Sequence, residues 1–217
     1  MITNIEESNN PYIRYEMVYS GDLLEKSITK WRKIYLSEKN KQNKLGKNKR
    51  FSSKTVNKVN DCIQEIDHYL LHVYRPFFYK LDPNDEIYMR THRMIIYGML
   101  KYSRSLKTVV MKASGYNLGK LLVEKGVVKT LDDLPKVFVM QRIGLLDIVD
   151  ESLNTMRINI YECMSCFRMK PIGMSMCDFE AGVIEGVLEK LYGKNTTIEK
   201  YCWGLGYSFC GFEAYFE

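Results

Sequence analysis

The sequence predicts an α+β fold in which helices precede an antiparallel sheet, with a helical arm in front of both. Three observations point there. Apolar residues recur at helical spacing from Ile87 to Glu124, the period changes to strand-like alternation after about Val137, and Gly204-Leu205-Gly206 stands as a hairpin signal between two strand-like runs.

The 217 residues suffice for one large domain, or for one domain with an arm. An apolar share of 46% with 27% charged residues is ordinary for a globular chain. No apolar run reaches the ~18 residues of a membrane span. Met1 to Asn10 is acidic and polar, unlike a secretory leader, so a cytoplasmic location is expected. In a reducing compartment the six cysteines are thiols or metal ligands before they are disulfides.

The arm comes first. Asp22 can cap a helix that carries Leu23, Leu24, Ile28, Trp31 and Tyr35 as one apolar stripe. From Lys39 to Lys58 eight Lys/Arg residues occur without one acid, a source of the net charge of +6. Such a run can bind nucleic acid, but without interleaved aromatic residues it reads as a solvated linker. A second helix is expected from about Thr55 to Tyr74, stopped by the Arg75-Pro76 step. Its Asp61, Glu65, His68 and His72 read as the polar solvent face rather than as a cation site. The arm then comprises residues 1–86, with the basic linker at 39–58, and is expected to dimerise. The main domain comprises 87–217.

In the main domain two helices are expected, over Ile87 to Ser105 and Ser105 to Glu124, with Gly115 and Gly119 leaving a bare patch for helix packing. Gly126 is a stop signal, and Thr130 to Pro135 reads as a capped short helix. Ile143 to Val149 and Met156 to Glu162 alternate as strands, with Met156, Ile158 and Ile160 on one face. Cys163 and Cys166 follow as a CxxC pair, which can be half a metal site, a redox dithiol or two buried small hydrophobes. Asp178 is placed to cap a helix ending at Gly193, with Gly182 and Gly186 beside its apolar arc, where the backbone can press on a sheet. Ile198 to Trp203 and Tyr207 to Tyr215 complete the sheet.

Cys177, Cys202 and Cys210 can meet where that helix returns to the final hairpin, with Glu199 three residues before the middle one. Three thiolates and a carboxylate make a tetrahedral zinc site, since Zn²⁺ takes both donor types and has no d-electron preference. The pair Cys163 and Cys166 is the alternative.

The layout Cys177, Gly182, Gly186, Glu199-x2-Cys202, Gly206, Cys210-x-Phe212 resembles the 4-vinyl reductase domain family. This is a small-molecule-binding domain found also as the sensor of phenol-responsive transcription activators. The motif covers about 177–212, and the helix-then-strand order about 87–217. The resemblance implies an α+β fold similar to subunits of vesicle-tethering complexes, an apolar pocket beside a structural zinc, and Cys177, Glu199, Cys202 and Cys210 as its ligands. Phenol sensors hold phenol with a His and a Trp. From residue 87 onward this chain has only His92 and Trp203, so a larger hydrocarbon or lipid-like ligand suits its Met, Tyr and Phe content better.

Four protein ligands close the zinc to substrate, which favours a structural role and a non-catalytic binding module. Dinucleotide, phosphate-loop and nucleophile-elbow motifs are missing from the sequence. A reductase or accessory protein acting on a tetrapyrrole or another hydrophobic substrate is the alternative, and a nucleic-acid-associated regulator using the basic run is the second.

Overall fold

A computed structural model describes residues 21–44, 69–70, 73–152 and 154–217. The acidic start, most of the helix expected over 55–74 with its Asp61, Glu65, His68 and His72, and the later part of the basic run lie outside the described residues.

Helix α1 spans Gly21–Lys44, so the basic run begins on a helix rather than as a linker, and Asp22 lies inside the first turn. Helices α2 (Pro76–Leu81), α3 (Asp85–Tyr102) and α4 (Arg104–Glu124) follow. The Pro76 ring holds Arg75 extended and opens α2 at its first position. Ser103 separates α3 from α4 and caps the latter by accepting from Leu106 N. A capped 3-10 turn, Leu131–Asp133, leads into α5 (Leu134–Met140), so the expected short helix continues past Pro135.

Strands β1 (Leu145–Glu151) and β2 (Thr155–Tyr161) form the expected hairpin. Helix α6 (Asp178–Tyr192) crosses to β3 (Asn195–Tyr201) and β4 (Cys210–Phe216), and Gly193 closes the helix at a φ of +98°. The sheet order is β1-β2-β4-β3, antiparallel throughout. Gly204 and Gly206 do not make a tight hairpin turn. The 3-10 turn Trp203–Leu205 lies within a longer link between β3 and β4.

Alternation sorts the sheet into two buried faces. On one, the pairs Met156↔Ala214, Ile158↔Phe212 and Ile160↔Cys210 join a core shared with α4, α5 and α6. On the other, Leu145 and Tyr161 pack with Tyr35 and Phe209, with Leu23, Leu24, Ile28 and Trp31 of α1 alongside. Arg32 fastens that helix by a two-point ion pair to buried Asp147. The described part of the arm is therefore a third layer over the chain's own sheet.

Two glycine pairs bring α4 and α6 into backbone contact. A Cβ on Gly115 or Gly119 would strike the Phe179 or Val183 carbonyl, and one on Gly182 or Gly186 would strike the Lys112 or Tyr116 carbonyl. Gly182 and Gly186 thus face a helix, where the sequence suggested a sheet. The small residues on both partners reinforce each other.

Candidate metal centre

Five cysteines converge where these elements meet. Cys163 and Cys166 lie in the loop after β2, Cys177 precedes α6, Cys202 follows β3 and Cys210 opens β4. All five side chains are buried and free of disulfides. Cys166 Sγ lies 3.2 Å from Cys177 Sγ and 3.1 Å from Cys210 Sγ. Cys177 Sγ is 3.5 Å from both Cys163 and Cys210, and 3.9 Å from Cys202. Zinc–sulfur bonds of about 2.3 Å put tetrahedral S···S edges near ~3.8 Å, so these spacings are those of ligands about a common ion.

Glu199 joins from β3. Its Oε2 accepts the Cys177 amide at 2.9 Å, while the enclosed Oε1 has no partner. The other enclosed side-chain polar atoms without a partner among the described residues are Glu180 Oε2 and Trp203 Nε1. Glu180 accepts from Cys163 through its other oxygen at 3.1 Å, so both unpaired carboxylate oxygens belong to residues in contact with the cysteines. Since buried polar groups are ordinarily paired, an unpaired oxygen beside thiols is where a cation belongs.

Two four-donor sets have all their ligand atoms within 4.8 Å of one another, Cys177, Glu199, Cys202 and Cys210, and Cys163, Cys166, Cys177 and Cys210. The structure therefore brings together every residue of the predicted set. It also places the CxxC pair against that set, where the sequence had treated it as a rival elsewhere.

Burial pushes the thiols of Cys166, Cys177 and Cys210 well up. It acts against the thiolates of Cys163 and Cys202 too, but hydrogen bonds from neighbouring thiols outweigh it and hold both well below the usual thiol range. Burial, then the Cys202 thiolate, raises Glu199 well above an ordinary carboxylate. Protons crowd a site dense in anionic groups, and a divalent cation would displace them. A borderline-soft ion such as Zn²⁺ fits this sulfur-rich set.

The loops carrying the sulfurs are gripped by buried cations that the sequence reading missed. Arg75 pairs with Asp85 at 2.6 and 2.8 Å and donates to the Glu162 carbonyl at 3.0 Å. Arg93 donates to the carbonyls of Tyr69, Met164 and Phe167 at 2.7, 3.1 and 2.8 Å. Lys107 donates to the Met176 carbonyl at 2.9 Å and pairs with Asp178. Asp178 is thus the first residue of α6 and an ion-pair partner, not the helix cap expected of it.

Glu162 turns the chain from β2 into the CxxC loop at a φ of +50°, a conformation costly for a side chain with a Cβ. Its carboxylate, bonded by Trp31 Nε1 at 3.1 Å and Phe77 N at 2.8 Å, holds it there and ties α1 and α2 to the loop. His92 lies nearby on α3 and meets Ser165 Oγ at 2.9 Å. Burial lowers its pKa to about 4, so the ring is neutral at physiological pH.

Phe167 stands edge-on to both Trp31 and Trp203. On the other face of the sheet a cleft of about 150 Å³ includes Lys39, Arg157, Asn159 and Glu213 in its lining, more polar than the apolar pocket expected. Among the described residues, no helix is long and apolar enough to cross a membrane.

The model of the 4-vinyl reductase domain family matches residues 156–216. Two uncharacterized proteins of Methanocaldococcus jannaschii are similar in sequence. One is 36% identical over 45% of this chain and 60% of its own length, and the other is 31% identical over 53% and 68%. The chain thus spans about three fifths of the first of these relatives. Among solved structures, the phenol-responsive sensory domain of the transcription activator PoxR superposes with a TM-score of 0.52 at 12% identity, over 58% of this chain and 73% of that one. That likeness is one of fold. A trafficking protein particle complex subunit 3 from Naegleria fowleri gives 0.48 at 17% identity, over 62% and 95%.

Proposed function

The chain belongs to the 4-vinyl reductase domain family, and from that premise we propose that it is a non-catalytic module that binds a small apolar molecule, its fold fastened by a zinc ion. The zinc is held by Cys177, Glu199, Cys202 and Cys210. The observation that carries this reading is the convergence of buried sulfurs and an enclosed, unpartnered carboxylate oxygen from separate segments of the chain. Zinc there contributes folding energy, because the unfolded chain holds no such constellation. The chain's own residues do the rest. Lys107 and Arg93 fix the loops, and the Cys177 amide orients Glu199.

The ligand is an apolar body with one hydrogen-bond acceptor. The support is the aromatic group Trp31, Phe167 and Trp203, together with the enclosed and unpartnered indole N–H of Trp203. Residues 87–217 form the binding domain, and residues 1–86 form the arm that relays occupancy within a cytoplasmic homodimer. Exposed Ile87, Met94 and Ile95 on α3 and Val109 on α4 supply apolar surface for such a dimer.

The test is thermal denaturation of the purified chain with a panel of alkyl- and aryl-alcohols. A saturable rise in Tm that Trp203→Ala abolishes is expected. No shift across the panel, and no apolar compound extractable from the protein as purified, would overturn the ligand reading.

A further inference from the structure

We infer that Cys166 is a further ligand to the proposed zinc and exchanges with Glu199 for its fourth place, the other three being held by Cys177, Cys202 and Cys210. This rests on the zinc reading above and concerns the donor that completes the set.

The sulfur spacings carry the inference. Cys166 Sγ lies 3.2 Å from Cys177, 3.1 Å from Cys210 and 3.7 Å from Cys202. Cys177 lies 3.5 Å from Cys210 and 3.9 Å from Cys202, and Cys202 and Cys210 lie within 4.8 Å of each other. Five of the six edges of this all-sulfur set are thus 3.1–3.9 Å, close to the ~3.8 Å of a tetrahedron about one zinc ion. Glu199 meets the same three sulfurs from β3, its ligand atom also within 4.8 Å of each. A structural zinc takes four donors, and here a fifth is in reach. The remaining thiol, Cys163, has a partner of its own in Glu180 Oε1, to which it donates at 3.1 Å.

Each rival has its own claim on the fourth place. Glu199 Oε1 is enclosed without a partner while Oε2 accepts the Cys177 amide, which aims a carboxylate oxygen at a cation. Cys166 is fully buried among sulfurs and offers the softer donor. The exchange balances within the site. As Cys166 binds, one zinc–sulfur bond forms, one zinc–oxygen bond breaks, and the thiol proton passes to the departing carboxylate, so the buried charge does not change. Arg93 holds the Met164 and Phe167 carbonyls on either side of Cys166, so the exchange is a rotation of that side chain rather than a movement of its loop. The fold then keeps its metal when either donor is lost.

Cobalt(II) is the probe. The full-length chain is stripped with chelator under reductant and titrated with cobalt(II) chloride, as wild type, Cys166→Ala, Glu199→Gln and the double variant. Each single variant should bind one equivalent. The double variant should bind more than ~100-fold more weakly than either, beyond the ~10–100-fold that a group outside the ligand shell costs. In frozen solution the wild type should show two overlapping cobalt resonances, one matching each single variant. A single wild-type resonance overturns the exchange. If it matches Cys166→Ala, the zinc set with Glu199 stands, and if it matches Glu199→Gln, Cys166 is the fixed ligand and the place given to Glu199 falls too. A single variant that binds as weakly as the double overturns the exchange as well, and a double variant that binds as tightly as the singles removes both donors from the site. No binding by the wild type overturns the zinc reading itself.

Discussion

Three residues with long charged side chains sit where a purely apolar core would have none. Arg75, Arg93 and Lys107 are all fully buried, and each donates to a carbonyl in a segment that carries a cysteine. Replacing Arg93 with Met takes a charged donor from three carbonyls, at ~1–3 kcal/mol for each group that it leaves unsatisfied. Arg93→Met should therefore lower the Tm by roughly 10 °C or more, and faster protease cleavage within 162–168 should accompany it. Cys202→Ser should cost a similar amount and should also lower the zinc content, measured by elemental analysis. His92 gives the pH signature. Its folded pKa of about 4 lies below the unfolded value near 6.5, so between those values the unfolded chain binds the extra proton. The stability contributed by the neutral ring is complete above about pH 6.5 and is lost as pH falls toward 4, on the order of 3 kcal/mol. His92→Gln should flatten that part of the stability-versus-pH curve relative to wild type, as read from urea titrations.

At the scale of elements, the interface of α4 with α6 rests on two facing glycine pairs. Alanine at Gly182 would gain ~1 kcal/mol of helix propensity, but its Cβ would strike the Lys112 carbonyl, and overpacking of that kind costs ~1–3 kcal/mol. Gly182→Ala should therefore destabilise the chain, whereas Gly98→Ala, with open space around it, should not. Chemical denaturation of both variants separates the two effects. Helix and strand order, the faces of β2 and the nearness of Cys177, Glu199, Cys202 and Cys210 were legible because they follow from local period and residue chemistry. The partners were not. Gly182 and Gly186 say that something comes close, not whether it is a helix or a sheet. The buried cations left a trace that went unread. Met89, Arg93 and Ile96 share one helical face, as do Lys107, Met111 and Gly115, so a cation stands on each buried stripe. The joining of the CxxC pair to the other three cysteines depends on β2 lying beside β4, a tertiary pairing that no local period encodes.

For the whole molecule, the sheet is covered on both faces, by α4, α5 and α6 on one side and α1 on the other, and the sulfurs lie at the end of the first of these layers. The apolar residues left outside on α3 and α4 predict a dimer. Light scattering should give twice the 25.5 kDa chain mass, and Ile95→Glu should return the monomer without lowering metal content. The fold in this account is fastened by metal at one point where distant segments meet. Native mass spectrometry of the chain as purified tests this most directly. The account predicts a mass above that of the bare chain by bound zinc, removed when Cys177 and Cys210 are both replaced by Ser. A bare-chain mass from protein handled under reductant, or zinc retained by that double variant, would contradict it.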